Sequence, residues 1–104
     1  MASVSWTVGG LQDFRSVIQR RAFSGNPQRL RDELARSISQ IEQFPLAGRV
    51  VPEYSLVELR EVIVGRHRLI YRVSEYRARI YAIIDGSRDL RRRLGPDLWR
   101  TPDA

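Results

Sequence analysis

Val4, Trp6 and Val8 alternate with polar or small neighbours, a period of two that predicts a short strand over residues 3–8. After Gly9-Gly10 the period lengthens. Leu11, Phe14, Ile18 and Phe23, widened by Val17, predict an amphipathic helix over 9–23, with Thr7 as a candidate cap. Ser24-Gly25-Asn26-Pro27 reads as a break and restart: Gly25 suits a left-handed helix end, Asn26 a cap, and Pro27 a first helical turn. Leu30, Leu34, Ile38 and Ile41 then recur at helical spacing and predict a second helix over 27–44, closed by Phe44-Pro45 because a residue before proline is pushed out of the α region. So short a turn between two helices implies an antiparallel hairpin.

From Gly48 to Ser55 the chain is turn-like, and Pro52 forbids a central strand there. Three runs rich in β-branched and aromatic residues follow at 57–64, 67–74 and 79–84, separated by Gly65-Arg66 and by a polar segment; short connections make them an antiparallel meander. In the middle run Leu69, Tyr71 and Val73 point to one side, and Arg68, Ile70 and Arg72 to the other. The first set is predicted to meet the helices and the arginine-bearing face to stay open. Ser87 to Arg93 reads as a short helix or tail stopped by Gly95-Pro96, with the tail beginning at about 95. The fold class is therefore α+β: an N-terminal strand, an antiparallel helical hairpin, a three-stranded antiparallel meander and a short C-terminal helix or tail, in one domain spanning 1–104.

A hydrophobic share of 42% and a charged share of 29% fit a globular chain. Zero cysteines and a single histidine leave no disulfide framework and no credible zinc site, so neither metal nor cofactor is expected. No leader-like start and no apolar run near the ~20 residues of a membrane span are seen, which reads as cytoplasmic. The net charge of +6 favours a polyanionic partner. All 18 basic residues are arginine, a choice that suits bidentate phosphate or carboxylate recognition and equally suits a GC-rich coding bias.

Four blocks say more. Gly48-Arg49-Val50-Val51-Pro52-Glu53, Leu59-Arg60-Glu61, Arg68-Leu69-Ile70-Tyr71-Arg72-Val73 and Ile83-Ile84-Asp85-Gly86-Ser87-Arg88-Asp89, in that order, resemble the run that marks the RelE/ParE superfamily of type II toxin–antitoxin toxins, with the ParE-like branch nearest. The resemblance implies a growth-inhibiting toxin neutralised by a small acidic antitoxin and reaching operator DNA only through that antitoxin. It also implies one of two targets: DNA gyrase, or messenger RNA on the ribosome.

Cleavage of RNA by its own 2′-hydroxyl needs a base, an acid and cations around the phosphorus. The resemblance maps Arg68 and Arg88 onto the arginines that ribonuclease members use, and Arg60, Arg72, Arg91 and Arg92 would extend the same anion-binding field. The proton-transfer groups are missing: there is no lysine, Asp85 precedes Gly86 where relatives often carry histidine, and no tyrosine or histidine follows Arg88. His67 alternates to the face opposite Arg68 and reads as a half-buried or strand-end residue. Glu61 and Asp85 read as ion-pair partners, Tyr71 as core with its hydroxyl at the edge, and Tyr76 and Tyr81 as candidate stacking surfaces. An acidic antitoxin segment is expected on Arg68, Arg72 and Tyr71. The resulting reading is a gyrase poison, with a ribosome-dependent endonuclease as the alternative and an inactive, antitoxin-binding co-repressor as the third; whether the chain is an enzyme stays open, as does the role of Leu98-Trp99-Arg100.

Overall fold

A computed structural model of the chain describes residues 1–95. The elements run β1 (Ser3–Trp6), α1 (Val8–Ser24), α2 (Pro27–Gln43), β2 (Arg49–Val50), β3 (Leu59–Val64), β4 (His67–Ser74), β5 (Arg77–Asp85) and α3 (Leu90–Leu94). The expected α+β order is borne out, including the meander and the short last helix. Leu98-Trp99-Arg100 and the tail beyond 95 lie outside the described residues. Within the stretch expected to be a turn, Arg49 and Val50 pair with Glu61 and Arg60 as a two-residue edge strand.

Helix α1 starts on β5. The Thr7 hydroxyl accepts from Gly10 N at 3.0 Å and donates to the Ile80 carbonyl at 3.2 Å, while Thr7 N donates to the same carbonyl. A side chain at Gly10 would run into that carbonyl, so the glycine that weakens the helix locally is what lets it lie on the strand. Trp6 and Phe14 meet edge to face, with centroids 5.4 Å apart. Phe23 is a correction: it is 89% exposed. Nine residues after Phe14 amounts to two and a half helical turns, which places it on the opposite side of α1. Val8, placed in the first strand by its alternation, is instead the first and exposed residue of α1, because Thr7 already turns the chain.

Asn26 Oδ1 accepts from Gln28 N and Arg29 N at 3.0 and 3.3 Å and caps α2, with Pro27 in the first turn. Gly25 has φ 176, an extended conformation and not the left-handed one expected; the turn is made by the Asn26 cap. Leu30, Leu34 and Ile41 are buried as the helical spacing requires.

The sheet order is β1-β5-β4-β3-β2, with β1 parallel to β5 and the other pairs antiparallel. Helices α1 and α2 cover one face, over Leu69, Tyr71, Ile80 and Ile83. Ile70 pairs with Ala82 but Tyr71 with Ile80, so Tyr81 is an extra residue in β5. This bulge sends Tyr81 and Ala82 together to the far face.

That far face is the second correction, for it is not open. Val51, Leu59, Ile70, Tyr81, Ile84 and Leu90 form a second buried cluster under Tyr54, Leu56 and Leu94. Residues 51–56 and α3 are its cover. The cause lies in β5, where Ile80 to Ile84 is apolar without interruption; a strand apolar on both faces must be covered on both.

Candidate functional site

Arg68 leaves β4 on the far face, opposite Ile63 and Ile84. Its side chain is only 9% exposed. Two carboxylates hold it: Nε donates to Glu61 at 2.6 Å, and Nη1 and Nη2 donate in parallel to Glu53 at 2.7 and 2.8 Å. Glu61, whose side chain is fully buried, also takes the Arg49 guanidinium on its other oxygen. The result is a neutral network of Arg49, Glu61, Arg68 and Glu53 in which Glu53 meets the Arg68 fork and Glu61 takes one Nε bond from each arginine. The hydrogen bonds from Arg68 hold the Glu53 carboxyl down at about 2, and the same pairing, against the cost of burial, raises the Arg68 guanidinium above its ordinary value. Arg68 therefore spends its Nε and both Nη groups on two carboxylates.

The other arginines expected on that face are dispersed. Arg60 lies opposite Tyr71, on the helix side, and spends its guanidinium on the carbonyls of Val57, Leu46 and Gly48. Arg72 stands beside Arg79 across the β4–β5 pair, towards the opposite end of the strand from Arg68. Arg91 donates to the Glu53 carbonyl. Tyr71 is fully buried; its hydroxyl donates to Pro45 O at 2.7 Å and accepts from Gly48 N at 3.1 Å, and burial pushes its pKa up. It has no surface to offer an antitoxin.

The single expected arginine face thus does not form. Strand alternation placed Arg68 correctly, but the partners that neutralise it come from a loop and from β3, whose approach depends on the sheet's second cover.

What remains open is a groove at the carboxyl end of β5, between α1 and α3. A cavity of about 570 Å³ is walled by Arg20 on α1 and by Arg88 and Arg92 around α3. It continues into a hollow of about 300 Å³ that shares Arg20 and Arg88 and adds Arg21, Arg66 and His67. The carboxylates within reach are engaged. Asp13 pairs with Arg93 at 3.0 Å and accepts from Ile83 N; Asp89 caps α3; Asp85 pairs with Arg66 at 3.1 Å. Asp85 is held at about 2 chiefly by the Ser87 backbone N–H and hydroxyl, and the ion pair expected of it is made with Arg66. His67 is half-buried, and burial lowers its pKa despite the nearby Asp85. Arg88 and Arg92 are exposed and, among the described residues, carry no ion pair.

Sequence reasoning missed Arg20 as a wall of this groove and Glu53 as the clamp on Arg68. For Arg20 a signal existed in the basic Arg20-Arg21 pair near the end of α1, where Arg20 falls outside the Phe14-Val17-Ile18 stripe.

A helical hairpin on one face of a small mixed sheet, with a loop and a short helix over the other, defines a compact two-core α+β class. The chain superposes on a chain described as "Chromosomal ParDE TA system from P. aeruginosa" with TM-score 0.64 and 17% identity, over 82% of this chain and 96% of that one. It superposes on a "YoeB/ParE toxin from Agrobacterium tumefaciens" with TM-score 0.60 and 18% identity, over 82% and 98%. At these identities the likeness is one of fold. The sequence itself matches, over residues 4–90, the family described as the ParE toxin of type II toxin-antitoxin system, parDE. The chain belongs to the ParE toxin family. No curated protein matches it.

Proposed function

We propose that this ParE-family toxin arrests growth by acting on DNA gyrase in the cytoplasm, and that a cognate antitoxin of acidic character neutralises it. One observation carries the choice of target: Arg68, the residue a nuclease would need at the scissile phosphate, is closed off by Glu53 and Glu61 at 2.6 to 2.8 Å. To grip a phosphate it would have to give up a bidentate carboxylate at partly buried cost. The remaining candidate, Arg88, shares its hollow with His67 and Asp85, but Asp85 is spent on Arg66 and Ser87, which leaves His67 as the one other proton-transfer group lining that hollow where cleavage needs two. A toxin that traps another enzyme's cleavage reaction requires no such groups. The net charge of +6 supports an acidic partner.

The test is expression without antitoxin, followed by purified components. Stabilised gyrase–DNA cleavage complexes and a DNA-damage response are expected. Codon-positioned cuts in ribosome-bound messenger that vanish in Arg68→Ala and Arg88→Ala would replace this reading with the endonuclease. Unimpaired growth would leave only an antitoxin-binding co-repressor.

A further inference from the structure

From the groove between α1 and α3 we infer a binding site for a DNA phosphodiester backbone, with Arg20 on one wall and Arg88 and Arg92 on the other. The inference rests on the gyrase reading for the choice of DNA, since the poisoned complex contains it. The groove's own chemistry supplies the rest.

Three features set the ligand class. First, the cations come from separate elements and converge: Arg20 from α1, Arg88 from the turn after β5, Arg92 from α3. A guanidinium on each side of an open cleft suits a ligand that runs through it carrying charge at intervals. Second, the acidic groups lining the groove are already engaged: Asp13 pairs with Arg93, Asp85 with Arg66 and Ser87, and Asp89 accepts from the α3 amides. Two of the three are paired with arginines, so together they offset only part of the field that Arg88 and Arg92 lead. Third, the apolar side chains under the groove are already spent on the core: Val17, Leu30 and Ile83 are each 2% exposed and Ile84 is 6% exposed. An amphipathic peptide would find no apolar floor to dock on. A phosphate backbone needs none, because its contacts are ionic and sequence-independent.

The arrangement holds together because α3 is anchored on the side away from the groove. Leu90 is buried in the far-face cluster, Arg91 reaches the Glu53 carbonyl and Tyr54 donates to Gly95 O. Arg92 is left on the groove side, and Arg93 pins α3 to α1 through Asp13.

The experiment measures binding of the full chain to a fluorescein-labelled duplex of mixed sequence, about 20 base pairs long, across a salt series, with no gyrase present. Arg88→Ala/Arg92→Ala should weaken binding roughly tenfold and lower the slope of log affinity against log salt by roughly two. Arg20→Ala, on a different element, should lower the slope by roughly one. Arg36→Ala/Arg77→Ala removes the same charge from exposed positions away from the groove and should leave the slope near that of the parent. Thermal melts confirm that each variant is folded.

Equal losses in the groove and control variants would reduce the binding to net charge and overturn the site, as would no duplex binding at all. Binding of poly-L-glutamate that depends on Arg88 and Arg92, with none of duplex, would assign the groove to an acidic polypeptide and also overturn it. Because gyrase is absent, the two claims separate. Groove-dependent DNA binding without cleavage complexes refutes only the gyrase reading. Cleavage complexes formed by a chain whose duplex binding does not depend on the groove refute only the groove.

Discussion

Arg68 and Glu53 meet as fork against fork, with parallel hydrogen bonds of 2.7 and 2.8 Å, fifteen residues apart in sequence. The pair joins the loop over the far face to the middle of the sheet. Its second anchor, Glu61, is wholly buried and shared with Arg49. The two anchors differ in burial, and this decides what their removal costs.

Glu61→Ala leaves Arg68 buried with one partner and should destabilise the fold by about 3–5 kcal/mol, the range for breaking a buried ion pair. Glu53→Ala should cost less, because Glu53 is 28% exposed and water can replace it. Replacing both buried members with apolar residues, Arg68→Met with Glu61→Leu, should recover most of the loss. Urea midpoints at neutral pH, with m-values compared to exclude partial unfolding, measure all three.

The same carboxylate sets an acid limit. Glu53 titrates at about 2 in the folded chain against 4.5 unperturbed. A depressed folded value means that its contribution is fully present above about pH 5 and is lost as pH falls through 4.5 towards 2. Asp85, also held at about 2, adds to the loss only as pH falls through its ordinary 3.8. The urea midpoint should therefore fall between pH 6 and pH 3, and the fall should be smaller in Glu53→Gln. An equal fall in that variant would show that other carboxylates govern acid unfolding.

Much of this molecule was readable from residue order. Leu30, Leu34, Ile38 and Ile41 define α2, Asn26-Pro27 its start, and 67–74 the strand β4, because each signal is local and periodic. The failures share a cause: they need partners distant in sequence. Gly10 reads as a helix weakener until Ile80 lies against it. Arg68 reads as a free anion-holder until Glu53 arrives over the far face. The bulge at Tyr81 has no local mark, yet it fills the second core. One warning was present, the unbroken apolar run Ile80 to Ile84, which leaves no face of β5 for water. The site suffered most, since a groove made by α1, the end of β5 and α3 joins residues that no single period relates.

Tyr71 and Gly48 are matched in the same way. The hydroxyl accepts from Gly48 N and donates to Pro45 O, and it lies so close to Gly48 that a side chain there would press on it and on the Glu61 carbonyl. Tyr71→Phe leaves a buried carbonyl and amide without that partner and should cost about 1–3 kcal/mol. Gly48→Ala should destabilise independently, through crowding. The double variant should lose less than the sum of the two, because Phe frees the space that Ala needs. Additive losses would mean that Gly48 is constrained mainly by the Glu61 carbonyl.

Leu90 tests whether α3 is held as a unit. It is 1% exposed and is the deepest contact α3 makes with the far-face cluster. Leu90→Ala removes that contact at a cost of about 2–5 kcal/mol if the whole fold must pay it. A helix of five residues has little stability of its own, so the cheaper response is for α3 to detach while the hairpin and sheet stay folded. Amide exchange should then rise across 90–95 and in the 51–56 loop, with 30–41 unchanged, and the urea midpoint should fall by less than a global loss requires. Uniform acceleration across all elements would mean instead that the second core is an integral part of the fold and that α3 cannot move without it.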